Sequence, residues 1–175
     1  MNLLSTAEFT APTIGWASLT PVLIVLGGAV VGVLVEAFAP QRLRRPVGIG
    51  LSLLATLLAA AAIALRWSSV VAAPSPQGEY IEDPLTLACQ FILACVGFLA
   101  LLVIADRTQV GDGSFAGQPS DRPGSGDEEL SLRKGYQRSE IFPLVLFSLG
   151  GMMVFPAADS LITLFVALEV MSLPL

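Results

Sequence analysis

Long apolar runs, separated by short segments rich in proline and charge, make up most of this 175-residue chain. Most of these runs come close to the roughly 20 apolar residues that a helix needs to cross a bilayer. The pattern predicts spans at about residues 21–39, 47–65, 85–104 and 141–155, and a fifth after residue 159. We therefore predict an all-α, polytopic transmembrane helix bundle with about five spans in this chain.

Capping residues and prolines mark where these helices begin. Thr20–Pro21 and Asp83–Pro84 each place a side-chain acceptor before a proline, the usual arrangement at a helix N-terminus. Pro46 opens the second span. Residues 156–158 form a tight turn after the fourth span, and Asp159 is predicted to cap the fifth.

The chain divides into four regions by composition. Residues 1–20 are predicted to form an external N-terminal segment, and residues 21–105 contain the first three spans. Residues 106–139 are rich in Gly, Pro, Asp and Glu, so they cannot bury enough apolar area to offset their ordering entropy and are predicted to form a disordered acidic cytoplasmic loop. Residues 140–175 contain the fourth span and the start of the fifth, within which we expect the chain to be cut.

Composition supports a membrane protein and excludes several kinds of site. The chain is 54% hydrophobic and 13% charged, about half the charged fraction of a soluble domain, and its mean hydropathy is +0.77. It has no histidine, which excludes His-ligated haem, Rieske clusters and most zinc or copper sites. Its net charge of −5 comes without a basic patch, so no nucleic-acid partner is expected. We predict no catalytic residue, metal ligand or cofactor-binding residue in this chain.

The positions of Lys and Arg predict the orientation. Eight of these residues lie in the two loops that follow the first and third spans, and one lies on the other side. Cytoplasmic loops carry the excess of Lys and Arg. The loops at residues 40–46 and 106–139 are therefore predicted to be cytoplasmic and the N-terminus external. The first 20 residues contain no Lys or Arg, so they do not read as a secretory signal.

Small residues inside the spans predict close helix packing. Gly28 and Gly32 form a GxxxG pair in the first span, which lets two helix backbones approach each other. Gly150–Gly151 lies midway along the fourth span, where it either loosens that helix or admits a neighbour. Cys89 and Cys95 lie about 240° apart around one helix, so they cannot form a disulfide with each other and are predicted to be packed thiols.

Three carboxylates fall in or next to the predicted spans. Glu36 lies in the last turn of the first span, where it can reach headgroup water or pair with a nearby Arg. Asp159 has the capping role already given. Glu169 differs, because ten residues, or about 15 Å, separate it from Asp159. That places it near the middle of a hydrocarbon core about 30 Å thick, where an ionisable residue is costly and marks a functional site.

Glu169 is therefore the candidate proton-translocation residue. A carboxyl group in hydrocarbon favours its neutral form and a nearby cation favours the charged form, so a movable cationic partner lets the group load and release a proton. Ser172, three residues on, and Pro174, which removes an N–H from the helix, are weaker supports in the same span. The single lysine, Lys134, lies in the acidic loop, so this chain offers no cationic partner.

Three segments near the C-terminal end carry a family resemblance: Phe147–Met153, Ala158–Phe165 and Leu168–Leu175. The last reads Leu-Glu-Val-Met-Ser-Leu-Pro-Leu. Together they resemble the fourth and fifth helices of the antiporter-like membrane subunits of respiratory complex I, and they are most similar to subunit N of bacterial NADH:quinone oxidoreductase. Leu168 stands where the sister subunits L and M and the Mrp-type antiporters tend to have Trp.

The resemblance implies a bundle of roughly fourteen helices with two inverted repeats of about five helices each, of which this chain is the N-terminal part. Glu169 falls on the family's essential fifth-helix glutamate, whose lysine partner on the seventh helix lies beyond Leu175. The resemblance further implies a proton-translocating, multi-pass subunit of the bacterial inner (plasma) membrane, packed among other membrane subunits and lipid. NADH, FMN, iron–sulfur clusters and quinone are then expected in partner subunits.

Two other functions stay open on this evidence. One is a stand-alone cation/proton antiporter subunit, and the other is a non-transporting membrane scaffold in which Glu169 only fixes helix packing. A lysine in the middle of a span two helices further on favours pumping, and its absence favours the scaffold.

Overall fold

A computed structural model of the chain describes residues 15–68, 70, 73–74, 79–106, 139–172 and 174. Residues 1–14 of the predicted external segment and residues 107–138 of the predicted acidic loop lie outside these ranges. The helices are α1 (Trp16–Phe38), α2 (Gln41–Arg66), α3 (Pro84–Ala105), α4 (Ile141–Val154) and α5 (Leu161–Ser172), with a 3₁₀ turn at Phe155–Ala157. Two short antiparallel strands, β1 (Ala73–Pro74) and β2 (Ile81–Glu82), form a hairpin between α2 and α3. The predicted all-α bundle is confirmed.

The helices differ in whether they are long enough to cross a membrane. α1, α2 and α3 contain 23, 26 and 22 residues and are both long and apolar enough to do so. α4 and α5 are apolar but shorter, with 14 and 12 residues. The chain is thus a membrane protein with several candidate spans.

The first two helices begin earlier than the proline signals predict. α1 begins at Trp16 and α2 at Gln41, so Pro21 and Pro46 lie inside their helices and not at the first position. Each proline lies in the second turn of its helix and leaves one carbonyl of the first turn without its usual intrahelical donor. The prediction that Thr20 caps α1 is wrong: its hydroxyl donates to the carbonyl oxygen of Trp16 at 3.0 Å.

The start of α3 is as predicted. Asp83 caps the helix, with a carboxylate oxygen that accepts the backbone N–H of Thr86 at 2.6 Å, and Pro84 takes the first helical position. This hydrogen bond favours the ionised carboxylate, and it lowers the pKa of Asp83 below its ordinary value. The Asp83–Pro84 pair therefore fixes the residue at which α3 begins.

α4 lies at the centre of the bundle and contacts α1, α3 and α5, while α2 packs between α1 and α3. The predicted packing role of the GxxxG pair is confirmed. A Cβ atom at Gly28 would lie 2.8 Å from the Cβ of Ala55 in α2, and one at Gly32 would lie 3.0 Å from the Cβ of Pro143 in α4. The largest buried apolar side chains of the core come from four helices and include Val25, Ile63, Leu87, Leu101, Phe142, Leu146, Leu149 and Met153.

An ion pair closes one end of the bundle by joining α2 to the hairpin. The guanidinium of Arg66 donates from Nε and Nη2 to the two carboxylate oxygens of Glu82, both at 2.6 Å. The side chains are 25% and 12% exposed, so this two-point contact is partly shielded from water. Its hydrogen bonds lower the pKa of the Glu82 carboxyl. The pair therefore holds the connection between α2 and α3 against the helices.

Replacing Glu82 by Gln is expected to destabilise the folded protein by about 2 kcal/mol, between the values for exposed pairs and for buried pairs that lose one partner. Because the folded-state pKa is lowered, the contribution is complete above the usual glutamate pKa of about 4.3 and is lost as the pH falls through the lowered value. The measurement is the midpoint temperature of thermal unfolding of the full-length protein in detergent. Glu79→Gln, at an exposed carboxylate three residues earlier, is the control, and equal midpoints for the two variants would contradict the prediction.

Candidate functional site

The helix that carries the candidate residue, α5, has its N-cap one residue later than predicted. The hydroxyl of Ser160 accepts the backbone N–H of Thr163 at 3.1 Å, which makes Ser160 the N-cap of α5. The prediction that Asp159 caps this helix is wrong. The backbone N–H of Asp159 instead donates to the carbonyl of Glu79 at 3.3 Å, and the neighbouring Ala158 pairs with Tyr80 in a β-bridge. Ala158 has extended backbone, and the helix starts after this segment.

The rotation of α5 about its own axis is set by two contacts with α4. At Gly151 the two backbones touch, because a Cβ atom there would lie 2.6 Å from the backbone nitrogen of Met171 and 2.9 Å from the carbonyl oxygen of Ala167. Three residues earlier, the hydroxyl of Ser148 donates to the carbonyl oxygen of Met171 at 2.8 Å. Of the two readings of Gly150–Gly151, the structure supports the one in which the glycines admit a neighbouring helix.

Glu169 lies on the face of α5 opposite this contact. It follows the buried Ala167 by two residues, which is about 200° around the helix. Its side chain is exposed, beside the exposed apolar side chains of Ile162 and Phe165. Within the residues that the structure describes, its carboxylate has no hydrogen-bond or ion-pair partner. The contact with α4 therefore presents this carboxylate among exposed apolar side chains.

The two predicted supporting residues lie at the end of the same helix. The Ser172 hydroxyl donates to the backbone carbonyl of Glu169 at 3.4 Å, and not to its carboxylate. Pro174 lies in the turn after α5, which ends at Ser172. Their proposed help to the carboxylate thus stays a prediction, while Ser148, which the sequence analysis did not single out, has a direct hydrogen bond to this helix. The only signal for Ser148 was a hydroxyl inside an apolar run.

A second polar group lies at the C-terminal end of α1. Glu36 accepts the hydroxyl of Ser139 at 2.7 Å and lies 3.9 Å from Nη1 of Arg44. The prediction that Glu36 pairs with a nearby Arg is confirmed. The neighbouring Arg45 donates to the carbonyl of Ala105 at 3.3 Å. These contacts tie the start of α2 to the ends of α1, α3 and α4, which is a packing role.

Polar side chains of α3 donate hydrogen bonds to backbone carbonyls at the C-terminal end of α4 and in the turn that follows it. The Thr86 hydroxyl donates to the carbonyl of Pro156 at 3.1 Å, and the Gln90 amide donates to the carbonyl of Met153 at 2.9 Å. Gln90 also donates to the hydroxyl of Tyr80 at 3.0 Å. Burial of this hydroxyl raises the pKa of Tyr80. These residues were not predicted from the sequence.

No group of three or more His, Cys, Asp or Glu side chains comes together among residues 15–68, 79–106 and 139–172. Cys89 and Cys95 are both free thiols, as predicted, but Cys95 is exposed and not packed inside the bundle. What the described residues offer is a single carboxylate held at a fixed rotation on α5.

Comparison with known proteins identifies relatives along nearly the whole chain, although no protein-family model matches it. The chain is 52% identical to NADH-quinone oxidoreductase subunit N of Beutenbergia cavernae, across 96% of this chain and 34% of that protein. It is 43% identical to the protein of the same name from Saccharopolyspora erythraea, across 97% and 34%, and 44% identical to that from Acidothermus cellulolyticus, across 94% and 32%. The chain thus spans about a third of the length of these curated relatives. The resemblance seen in the sequence is confirmed, and the chain belongs to the family of NADH-quinone oxidoreductase subunit N.

Proposed function

We propose that the chain is part of a membrane-arm subunit that translocates protons in an NADH:quinone oxidoreductase, driven by quinone reduction in other subunits. The observation that carries the proposal is the placement of Glu169 on the face of α5 that turns away from α4. An ionisable residue within an apolar span is costly and is retained for function. The relatives named as NADH-quinone oxidoreductase subunit N support the coupling to a quinone reductase.

In this proposal Glu169 alternates between a protonated and an ionised state. The Ser148 hydroxyl and the backbone contact at Gly151 hold α5 in place, so the carboxylate keeps its position while its charge changes. A cation on a neighbouring helix stabilises the ionised carboxylate when the cation is near. When the cation moves away, the carboxylate takes up a proton again. NADH, FMN, iron–sulfur clusters and quinone belong to partner subunits in this proposal, so this chain carries no redox step.

Purification of the tagged full-length subunit from its host tests this proposal against the antiporter alternative. We expect NADH:quinone reductase activity to copurify, and proteoliposomes of the complex to acidify only when NADH and a quinone are both present. Cation-dependent proton exchange by the tagged protein, with no NADH or quinone and no copurifying reductase activity, would refute the proposal.

We further propose that the N-terminus faces the outside of the bacterial plasma membrane and that residues 40–46 and 106–139 face the cytoplasm. Single cysteines at positions 75 and 125, in a background without the native cysteines, test this orientation in sealed cells. A membrane-impermeant maleimide is expected to label position 75 and to reach position 125 only after the cells are opened. Labelling of position 125 but not of position 75 in sealed cells would reverse the orientation.

A further inference from the structure

Residues 79–82 form a strap that contacts three helices at the end of the bundle where α3 begins. The hydroxyl of Tyr80 donates to the carbonyl of Ser18 in α1 at 3.3 Å and accepts the side-chain amide of Gln90 in α3 at 3.0 Å. The carboxylate at position 82 pairs with the end of α2. Side chains thus attach the strap to α1, α2 and α3.

The backbone of the strap also holds the segment that leads into α5. Tyr80 pairs with Ala158 in an antiparallel β-bridge, and the carbonyl of Glu79 accepts the backbone N–H of Asp159 at 3.3 Å. α5 begins at Leu161, two residues after this contact. The segment before α5 is therefore attached to the first three helices as well as to α4.

This second attachment matters because, among the described helices, α5 packs mainly against α4. The contact with Gly151 and Ser148 of α4 fixes the rotation of α5 near Ala167 and Met171. A helix held against one neighbour can still tilt about that contact. The strap acts at the start of the helix, six residues or about 9 Å before Ala167, so it opposes this tilt.

The Tyr80 hydroxyl is suited to a fixed attachment. A phenol has one hydrogen to donate and lone pairs that accept, and this one uses both, towards Ser18 and Gln90. Burial raises the pKa of Tyr80 above its ordinary value of about 10, so the hydroxyl keeps its proton at physiological pH. The attachment therefore does not loosen when the pH changes within that range.

We propose that Tyr80 is a positioning residue for Glu169: through the strap it fixes the tilt of α5, so the carboxylate stays in place while its cationic partner moves. The inference rests on the proposed proton-carrying role of Glu169. Because Glu169 projects from the face opposite the α4 contact, about 10 Å across the helix, a tilt of about 6° moves its carboxylate by about 1 Å.

Tyr80→Phe in the full-length subunit of the intact complex tests this inference, because it removes only the hydroxyl. We expect proton translocation per assembled complex to fall about 10-fold, since a misplacement of about 1 Å can cost up to about 100-fold in rate. Trp67→Phe is the control and should match the native protein, because this aromatic residue at the same end of the bundle is exposed.

A disulfide between the strap and the start of α5 provides the rescue. Tyr80→Cys and Ala158→Cys are combined, because paired residues of an antiparallel bridge have Cα atoms about 4.5–5.5 Å apart, within the range of a disulfide. We expect translocation to be low with the thiols reduced and to recover when the disulfide forms, since the bond attaches α5 to the strap again. Tyr80→Cys alone, treated with the same oxidant and reductant, should show no recovery.

Two outcomes would overturn the inference. One is unchanged translocation in assembled Tyr80→Phe. The other is translocation that stays low, or falls further, when the disulfide forms in the double variant, because a fixed start of α5 would then not be what the carboxylate requires. If Tyr80→Phe does not assemble, the double variant decides. Failure of the proposed function is seen separately, as unchanged translocation in Glu169→Gln.

Discussion

Glu169→Gln is expected to leave the protein assembled and to lower proton translocation about 100-fold or more, the scale of a lost proton-transferring group. The amide nearly matches the carboxyl group in shape but cannot take up and release a proton. Quinone reduction should fall in parallel if the two processes are tightly coupled. The measurements are quinone reductase activity and acidification in the intact complex, with the amount of complex determined independently.

The pattern across other variants separates the proton carrier from the scaffold. Glu169→Asp should be milder than Glu169→Gln, because the charge remains and a water can bridge the methylene that is lost. Under the scaffold alternative Glu169→Gln is benign and Glu169→Ala disrupts assembly. Glu140→Gln is the matched control, because that exposed carboxylate at the start of α4 makes no capping hydrogen bond. A fully assembled Glu169→Gln variant with unchanged pumping would refute the proton-carrier role.

Gly151→Ala is expected to destabilise the protein by about 2 kcal/mol, within the usual range for an overpacked site. The new Cβ atom would lie 2.6 Å from the backbone nitrogen of Met171 and 2.9 Å from the carbonyl of Ala167. Backbone atoms cannot rotate out of the way as a side chain can, so α5 must move away from α4. That movement also displaces Glu169, so proton translocation per assembled complex should fall.

Gly27→Ala provides the control for this prediction. Nothing lies within 4 Å of a Cβ atom at Gly27, and alanine is the better helix former, so stability should stay equal or rise slightly. The thermal-inactivation midpoint and the yield of assembled complex report both effects. If Gly151→Ala behaves like Gly27→Ala, then the close backbone contact is not what positions α5.

The sequence allowed the fold class and the candidate residue to be predicted because both depend on strong local signals. Apolar run lengths specify a helix bundle, and the Asp83–Pro84 pair specifies a helix start whatever surrounds it. Glu169 stood out because it is the carboxylate that lies furthest from the ends of its apolar run. Its proton-carrying role stays a prediction, since no described contact reports on it.

Contacts between helices decided the details that the sequence did not predict. Asp159 and Ser160 are both good capping residues, and the choice between them depends on the hydrogen bond from the Asp159 backbone to the distant Glu79. Ser148 and Gln90 are polar residues within apolar runs, and a single sequence does not show which neighbouring carbonyl each one meets. The GxxxG signal was informative because small residues in a span have few roles other than close packing.

The hydrogen bonds from α3 to α4 and from α4 to α5 have a consequence for how the protein enters the bilayer during synthesis. The carbonyls of Met153 and Pro156 accept hydrogen bonds from side chains of α3, and the carbonyl of Met171 accepts one from α4. In lipid, a carbonyl without a donor costs several kcal/mol, and α4, with 14 residues, is shorter than a usual span. α4 is therefore a poor candidate for release into lipid on its own, and we expect α3 to be in place to receive it.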